Sequence, residues 1–481
     1  MKPFAAILIH SGSEDISTCL RSLRTSTSIE KILLLSPTPC SDPGIISIVT
    51  PYPFGGHALQ QALHHACSCP YLLVITNPTT CRVTTDDVAR ALALGTSCGA
   101  GIWYADYYVG KRLPATVMPV CPYQLGSIRD DFDFGPAHCY ATAQVMQALE
   151  RFGQLKDTRW AGLYELRLKV SCTAPVQKVA EPLFYATAVQ RSSHFMYIDP
   201  KNLAYQKEME YICTEHLRRI NALCTHDPLP IPEDRSSYPV VASVVIPVRN
   251  RERTIADAIR SALSQTTDFP FNILVVDNHS TDQTGTAIER IACTDRRVIR
   301  IVPDSADLGI GGCWNIAVQS AHCGTYVCQL DSDDLYADTS ALAAMVSLLR
   351  EGFGMVVGSY RVVNFSLEEI PPGVVDHREW SDENGRNNLL RVAGIGAPRA
   401  FPTVLLRRFP FPNVSYGEDY AIALRIARDY RVGRIYTPLY LCRRWEDNTD
   451  AALTPEQTVR FATFKDTLRT REITERQKAA A

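Results

Sequence analysis

Three acidic side chains follow a short apolar run in the stretch VCQLDSDDLYAD, residues 327–338. They are Asp331, Asp333 and Asp334. A strand that ends in this much negative charge is costly unless a positive group lies beside it. Asp331 and Asp333 stand two residues apart in a turn, so both carboxylates can point at one hard divalent cation whose remaining ligands are phosphate oxygens. The pattern predicts a metal and phosphate site, although an ordinary acidic turn or a helix cap can have the same sequence.

The elements around this turn alternate between apolar runs and helical patterns. The apolar runs VASVVIPV, FNILVVDN, RVIRIV and TYVCQL are each followed or preceded by a stretch with apolar residues at helical spacing. This rhythm predicts a parallel α/β sheet with crossover helices, in which ligands bind beyond the carboxyl ends of the strands. Asp277 ends one predicted strand and Asp331 follows another, so we expect both to face the same crevice.

The first half of the chain repeats this rhythm, which indicates an internal duplication. One constant spacing relates Tyr71 to Tyr326, and the same spacing relates two glycines of the first half, Gly56 and Gly162, to glycines of the second. We predict the following segments: a domain over 1–195, a helix and Pro-rich linker over 196–237, a second domain over 238–453 and a C-terminal helix over 454–481.

The second half resembles the family 2 glycosyltransferases, which have the GT-A fold. The resemblance rests on a series of motifs in the expected order over roughly 240–450: SVVIPVRNRERTIADAIRSALSQT, ILVVDNHSTDQT, GGCWNIAVQSA, QLDSDD, YGEDYAIALRIA and LYLCRRWEDNTD. It implies an α/β protein with two tandem GT-A-like (Rossmann-like, nucleotide-sugar-binding) domains, built on mostly parallel sheets flanked by helices. It also implies an inverting, metal-dependent transfer of a sugar from a nucleotide diphosphate donor, with a UDP-sugar favoured, to a glycan or lipid-linked acceptor in the synthesis of surface polysaccharides or glycoconjugates.

The resemblance also assigns roles on the donor side. Asp277 would hydrogen-bond the nucleobase, and Asp331 and Asp333 would hold ribose, diphosphate and Mn²⁺ or Mg²⁺. The residues expected to contact the donor nucleotide are Pro247, Arg249, Asn250, Glu252, Asp277, Asp331 and Ser332.

On the acceptor side the reaction needs a base, because the attacking hydroxyl must lose its proton. By the resemblance, Asp419 is the base and Glu418 binds acceptor hydroxyls, although acids in a first helical turn are also ordinary dipole partners. The segment GIGAPRAFPTVLLRR, residues 394–408, resembles the one that shapes the acceptor pocket.

The segment LCRRW adds cations and an aromatic ring. Arg443 or Arg444 could neutralise the departing diphosphate, and Trp445 could stack on a sugar ring. This segment is similar to the Q-x-x-R-W signature of processive synthases, but Leu441 stands where Gln is expected. Since no His follows before Asp450, a third protein ligand to the metal is left open.

The duplication allows the same positions to be compared in the first half. Asp277 corresponds to Ser36, and the acidic turn corresponds to residues 76–79, TNPT. The pair Glu418–Asp419 corresponds to residues 163–164, and Arg443–Arg444 to residues 187–188. Each assigned position has lost its charge, which predicts that the first domain is a degenerate, inactive copy.

The amino-acid composition of the chain limits the kinds of molecule that it is expected to bind. The 49 basic and 51 acidic residues leave a formal net charge of −2, which gives no support to binding nucleic acid through bulk charge. The longest apolar stretch is too short to span a bilayer, and the first residues lack the features of a signal peptide. We therefore expect a cytoplasmic protein without a transmembrane segment, and leave open peripheral association with the inner face of the membrane and homo-oligomerisation. The 16 cysteines are expected to be reduced and buried.

Two alternatives to this function stay open. A non-catalytic scaffold that binds nucleotide sugars or glycans would use the same fold, but the full set of charges in the second half argues against it. A sugar nucleotidyltransferase would need a Gly-rich loop after the first strand, and IPVRNRERT contains no glycine.

Overall fold

The computed structural model describes residues 3–12, 14–110, 115–187, 202–378, 384–446, 448 and 453–480. These residues form two compact units. The first unit draws on residues 1–194, 204–223 and 454–481, and the second on 195–203 and 224–453. The predicted boundary at residues 195–196 lies outside the described residues, and so does Ala188, one of the two predicted counterparts of Arg443 and Arg444.

The first unit begins with a strand that is buried along its whole length, as its unbroken apolar sequence predicts. Its strands are β1 (Phe4–Ile9), β2 (Ile29–Ser36), β3 (Ile46–Val49), β4 (Tyr71–Ile75), β5 (Cys81–Arg82), β6 (Ile102–Tyr104), β7 (Tyr107–Val109), β8 (Thr116–Met118), β9 (Ala137–Ala141), β10 (Val176–Lys178) and β11 (Tyr185–Ala186). Its first helices are α1 (Ser17–Thr25), α2 (Gly56–Ala66), α3 (Thr85–Cys98), α4 (Thr142–Phe152), α5 (Gly162–Val170) and α6 (Leu203–Arg219).

The second unit follows the same alternation. Its strands are β12 (Ala242–Val248), β13 (Phe271–Asp277), β14 (Val298–Ile301), β15 (Tyr326–Gln329), β16 (Leu335–Tyr336), β17 (Met355–Val363), β18 (Glu369–Val375), β19 (Arg399–Pro402) and β20 (Val432–Arg443). Its helices are α7 (Ile255–Leu263), α8 (Thr284–Ala292), α9 (Ile310–Gln319), α10 (Ala341–Arg350), α11 (Gly385–Asn388), α12 (Thr403–Arg408) and α13 (Glu418–Asp429). The chain ends with α14 (Pro455–Ala480), which belongs to the first unit.

The two main sheets have the same strand order. In the first unit the order is β3-β2-β1-β4-β9-β6-β10, and in the second it is β14-β13-β12-β15-β19-β17-β20. The directions also agree, since β9 and β19 each run antiparallel to both of their neighbours and the other pairs in these two orders are parallel. This mixed α/β architecture with flanking helices confirms the predicted fold class.

The two sheets differ beside the strand that ends in Asp277. In the second unit, α8 connects β13 to β14. In the first unit, residues 37–45, all of which are described, connect β2 to β3 without a helix. Helix α8 begins at Thr284, so Ser280 and Thr281 lie in the loop before it.

Matching glycines pack in the same way in both units. A Cβ atom on Gly56 would lie 1.9 Å from the carbonyl oxygen of Lys156, and one on Gly311 would lie 2.0 Å from that of Pro412. Any larger residue would push away the loop that enters α5 or α13, so glycine is required where the first turn of α2 or α9 meets that loop. The spacing seen in the sequence therefore corresponds to a shared packing constraint.

Helix α14 packs against the segment 121–129 of the first unit. Thr454 caps the helix by accepting a hydrogen bond from the N–H of Gln457 at 3.2 Å. In the middle of the helix, the buried carboxylate of Asp466 accepts hydrogen bonds from Ser127 at 2.9 Å and from Arg469 at 2.6 Å. It also lies 3.4 Å from Nε of Arg129. A buried charge network of this kind ties the end of the chain to the first unit.

The state of the cysteines and the character of the helices bear on two further predictions. All 16 cysteines are free, as predicted, but Cys67, Cys98 and Cys293 are exposed rather than buried. In the described part of the chain, no helix combines the length and the apolar character needed to span a bilayer.

We expect the Asp466→Ala variant to lose about 3 kcal/mol or more of unfolding free energy, because the two arginines would stay buried beside a missing carboxylate. Urea denaturation of the full chain measures this loss. The exposed Arg460→Ala on the same helix is the control and should change stability by less than about 0.5 kcal/mol. Equal effects of the two variants would contradict a buried network around Asp466.

Candidate active site

The acidic turn lies where the order of the strands reverses. The chain proceeds from β12 to β13 and β14 on one side and then adds β15 on the other side of β12. Hydrogen-bonded pairing of β12 with β15 stops at Val245 and Gln329, so the carboxyl ends of these strands separate. Pro247, which has no N–H to donate, lies just beyond that point. Such a crevice is the usual ligand site of an open α/β sheet, and Asp331 lies at its mouth.

Two of the three acids are held by strand β20. The backbone N–H of Asp331 donates to the hydroxyl of Tyr440 at 3.0 Å, and Oδ1 of Asp334 accepts from the backbone N–H of Arg443 at 2.7 Å. These contacts follow from the antiparallel pairing of β16 with β20, which places Leu335 opposite Leu441. Asp334, for which no role was predicted, therefore joins the acidic turn to the LCRRW segment.

Asp333 is oriented by the residues that follow β20. Its Oδ2 accepts hydrogen bonds from Nε1 of Trp445 and from Nδ2 of Asn448, both at 3.1 Å. Nε of Arg251, in the loop after β12, lies 3.9 Å from the same oxygen. The predicted tryptophan thus lies at the acidic turn, where it positions a carboxylate.

The acidic turn fits a divalent cation by its chemistry. Burial raises the pKa of Asp331, although the guanidinium of Arg399 acts in the opposite direction. Burial also raises the pKa of Asp334 well above its ordinary value, and the carboxylates of Asp333 and Asp331 add to this. A divalent cation would relieve this repulsion. Among the described residues no cluster of three or more His, Cys, Asp or Glu forms a complete ligand set, so diphosphate oxygens would have to supply further ligands.

Asp277 lies at the same edge of the sheet, two strands away, and is fully buried. Its Oδ1 accepts a hydrogen bond from the N–H of Ser280 at 3.0 Å, and its Oδ2 accepts one from Arg300 at 2.6 Å. Burial alone would raise the pKa of Asp277, but these hydrogen bonds outweigh it and lower the pKa. Gly285 makes room for the pair, because a Cβ there would lie 2.5 Å from Nη2 of Arg300. Contact with a nucleobase stays a prediction.

The loop after β12 is braced against the loop after Asp277. Oδ1 of Asn250 accepts a hydrogen bond from the N–H of Thr281 at 2.8 Å, and Oε2 of Glu252 accepts one from the N–H of Gln283 at 2.9 Å. These two predicted donor-binding residues therefore shape the crevice wall. Arg249 is exposed beside them, and Ser332 is buried within the acidic turn.

The predicted acceptor acids differ in their surroundings. Burial raises the pKa of Glu418 to about 8, with a smaller contribution from the carboxylate of Asp419, so Glu418 keeps its proton at neutral pH. Its Oε2 is buried without a hydrogen-bond partner in the described residues. Asp419 is more exposed and forms an ion pair with Arg399. One acid is therefore neutral, and the other faces a cation.

The arginines of LCRRW lie in different surroundings. Nη1 of Arg443 is 3.7 Å from Oδ2 of Asp257, and the guanidinium packs 5.1 Å from the ring of Phe365. The backbone N–H of Arg444 donates to the carbonyl of Val363 at 2.7 Å. Arg443 is almost fully buried in this arrangement, and a role of either arginine toward a diphosphate stays a prediction.

No individual role was predicted for four side chains that contact the acids of the site, although Arg399 lies in the predicted acceptor segment, residues 394–408. Arg251 and Asn448 contact Asp333, Arg300 contacts Asp277, and Arg399 contacts Asp419. Each comes from a different element, and it is the strand order that brings it to its partner. Arg251 was the most accessible of the four to sequence reasoning, since it lies inside the predicted nucleotide loop.

The comparison with known proteins concerns the second unit. The family model for glycosyl transferase family 2 matches residues 243–412. A relative from Escherichia coli, "UDP-Glc:alpha-D-GlcNAc-diphosphoundecaprenol beta-1,3-glucosyltransferase WfaP", is 30% identical over 190 residues, which are 39% of this chain and 70% of the relative. This chain belongs to glycosyl transferase family 2. It is therefore a glycosyltransferase, as the motifs predicted.

A second relative and a solved structure are also similar to this chain. The E. coli glucosyltransferase WfgD, which carries the same description of donor and acceptor, is 28% identical over 196 residues, 40% of this chain and 73% of its own. The crystal structure of S. aureus TarS 1–349 in complex with UDP-GlcNAc aligns with a TM-score of 0.38 at 20% identity, over 50% of this chain and 73% of that one. The family match lies within the second unit, and the inactive copy in the first unit stays a prediction.

The Glu418→Gln variant should change how the stability of this glycosyltransferase depends on pH. A carboxyl group whose folded pKa is raised binds an extra proton in the folded state, so the parent should lose stability as the pH rises from 4.5 to about 8. Gln cannot ionise, and we expect the variant to gain about 2 kcal/mol relative to the parent between pH 6 and pH 9. Thermal unfolding across this range measures the difference, and parallel curves would contradict a buried, protonated Glu418.

Proposed function

We propose that this glycosyltransferase moves a sugar from a UDP-sugar to a glycan or lipid-linked acceptor, with inversion at the anomeric carbon and with Mn²⁺ or Mg²⁺ bound at the acidic turn. One observation carries the proposal. The acidic turn after β15 and the Glu418–Asp419 pair at the start of α13 are connected by two side chains, Gln329 and Arg399. A site for the donor diphosphate and a candidate base are thus parts of one arrangement.

The choice of substrates follows the relatives. WfaP and WfgD are described as transferring glucose from UDP-Glc to a GlcNAc-diphosphoundecaprenol. We therefore propose UDP-glucose as the first donor to test and a lipid-linked diphosphate sugar as the acceptor class. Such an acceptor lies at a membrane surface, so peripheral association with that surface would accompany activity.

The chemistry is an in-line displacement. The acceptor oxygen forms a bond to the anomeric carbon, the bond from that carbon to the diphosphate oxygen breaks, and the acceptor proton passes to the carboxylate of Asp419. A bound divalent cation would supply Lewis acidity at the diphosphate. Asp331 and Asp333 would hold that cation, and Trp445 and Asn448 fix the direction of the Asp333 carboxylate. Glu418, protonated at neutral pH, can donate a hydrogen bond to an acceptor hydroxyl.

We further propose that the first unit does not bind the donor. Thr76 and Ser36 stand where Asp331 and Asp277 end their strands, and the structure gives this unit no helix between β2 and β3. Without these two carboxylates, a divalent cation at this edge would lack the charged oxygen ligands that Asp331 and Asp333 offer in the second unit. The first unit would then serve acceptor binding, packing or assembly.

Two variants test the catalytic roles. We expect Asp333→Ala to lose binding of UDP with Mn²⁺ and at least about 100-fold of transfer, and Asp419→Asn to keep donor binding but lose about 1,000-fold of transfer. Radiolabelled UDP-glucose with a lipid-diphosphate GlcNAc acceptor, together with product anomer analysis by NMR, measures both. Donor binding without transfer to any acceptor, in parent and variants alike, would instead favour a non-catalytic scaffold.

The number of donor sites tests the role of the first unit. Isothermal titration of the full chain with UDP and Mn²⁺ should give one site per chain, because the carboxylates needed for the cation stand in the second unit alone. That site should disappear in Asp333→Ala. A residual site in this variant would show that the first unit binds nucleotide.

A further inference from the structure

Arg399 links the two groups of acids in the second unit. Its Nε donates to Oε1 of Gln329 at 2.8 Å, and its Nη1 forms an ion pair with Oδ2 of Asp419. Nε2 of the same Gln329 donates to Oδ1 of Asp331 at 2.9 Å. The four side chains form a continuous series that runs from the acidic turn to the first turn of α13.

Strand register explains why this series forms. Strand β19 runs antiparallel to β15, with Cys328 opposite Ala400, so Gln329 and Arg399 are the next cross-strand neighbours. Gln329 is buried, and the side chain of Arg399 is 13% exposed. Ion pairs and charged hydrogen bonds in such a place are screened little by water, so they can hold a carboxylate in one direction.

The first unit provides an internal comparison. By the register of β4 with β9, Val74 and His138 are the cross-strand pair that corresponds to Gln329 and Arg399. Asp331 and Asp419 correspond to Thr76 and Tyr164. All four members of the series are replaced, yet strands β4 and β9 pair in the same way as β15 and β19. The fold therefore does not need the series, and its presence in the second unit calls for another role.

We propose that Arg399 is a positioning residue for sugar transfer, which holds the carboxylate of Asp419 toward the acceptor and, through Gln329, couples it to the acidic turn. The inference rests on the proposed role of Asp419 as the base. Arg is suited to this task because its planar guanidinium holds its N–H donors in fixed directions toward two partners, whereas the donors of an ammonium group rotate. The titratable groups that face the guanidinium are Asp419 and Glu418 of α13 and Asp331 after β15.

Steady-state kinetics of Arg399→Met test the proposal. We expect kcat to fall by roughly 10- to 100-fold, while the KM for the donor changes by less than about threefold, because the variant misplaces the base and leaves the metal carboxylates in place. Arg399→Lys should recover part of kcat, since it restores the charge beside Asp419 but not the second bond. In the Asp419→Asn background, Arg399→Met should have no further effect on the residual rate.

The matched control is Arg425→Met, which breaks a second arginine–aspartate pair. This pair, Arg425 and Asp429, lies on α13, the helix that carries Asp419. The variant should leave kcat within about twofold of the parent, since this pair lies at the far end of α13 from Asp419. A loss of kcat in this control as large as in Arg399→Met would show that any broken pair on the helix has the same effect, and would overturn the positioning role.

A second readout does not depend on activity. Unfolding of Arg399→Met, Asp419→Asn and the double variant by urea forms a double-mutant cycle, in which coupled side chains give losses that do not add. If the parent transfers no sugar, the proposed function fails while this cycle still tests the link. If the parent transfers sugar and Asp419→Asn does not, then an unchanged kcat in Arg399→Met, or additive losses in the cycle, overturns the inference.

Discussion

The pairing of β16 with β20 is the constraint on which the active site depends. It lasts for two residues on each strand, yet it holds the backbone of Asp331 and the carboxylate of Asp334 against β20. The same pairing carries Trp445 and Asn448 to Asp333. Carboxylates that stand this close repel one another, and they stay in place because each has a different neutral donor. The turn thereby keeps its carboxylates in place for a cation, with Arg251 as a nearby positive group, 3.9 Å from Oδ2 of Asp333.

The carboxyl groups at this edge of the sheet differ in protonation because they differ in burial and in their hydrogen-bond partners. Asp277 is ionised and satisfied by Arg300 and Ser280, whereas Glu418 keeps its proton because the loss of water around it outweighs the attraction of Arg399. Asp419 is partly exposed and forms an ion pair with Arg399. A transfer reaction needs such a difference, because one group must accept a proton while its neighbour donates a hydrogen bond.

The elements of the fold could be predicted from local sequence because buried parallel strands consist of unbroken runs of apolar residues. Residues 242–248 and 271–277 are examples. The acidic turn was equally visible, since its acids are adjacent in the chain. The partners of those acids were not: Arg300 serves Asp277 and Arg399 serves Asp419 across strands that are far apart in sequence. Likewise, Asn250 and Glu252 were predicted to contact the donor, but their bonds to the next loop depend on how β12 and β13 end side by side. Periodicity reports which face of an element is buried, and it does not report which polar groups meet beyond its end.

A comparison of the two units distinguishes the residues that the fold requires from those that the candidate active site requires. Both keep the apolar strands, the strand order and the close approach of a helix glycine to a loop carbonyl, at Gly56 and at Gly311. These features depend on how the interior packs. Packing of the interior does not depend on the charge at a strand end that faces solvent or a ligand. The acids at the carboxyl ends add repulsion and desolvation to the folded state, so they persist where a ligand offsets that cost. In the first unit Ser36 and Thr76 stand where the second unit has Asp277 and Asp331, and the sheet forms without these charges. That the first unit binds no donor stays a prediction, and it rests on a sheet edge without these acids in a sheet with the same strand order.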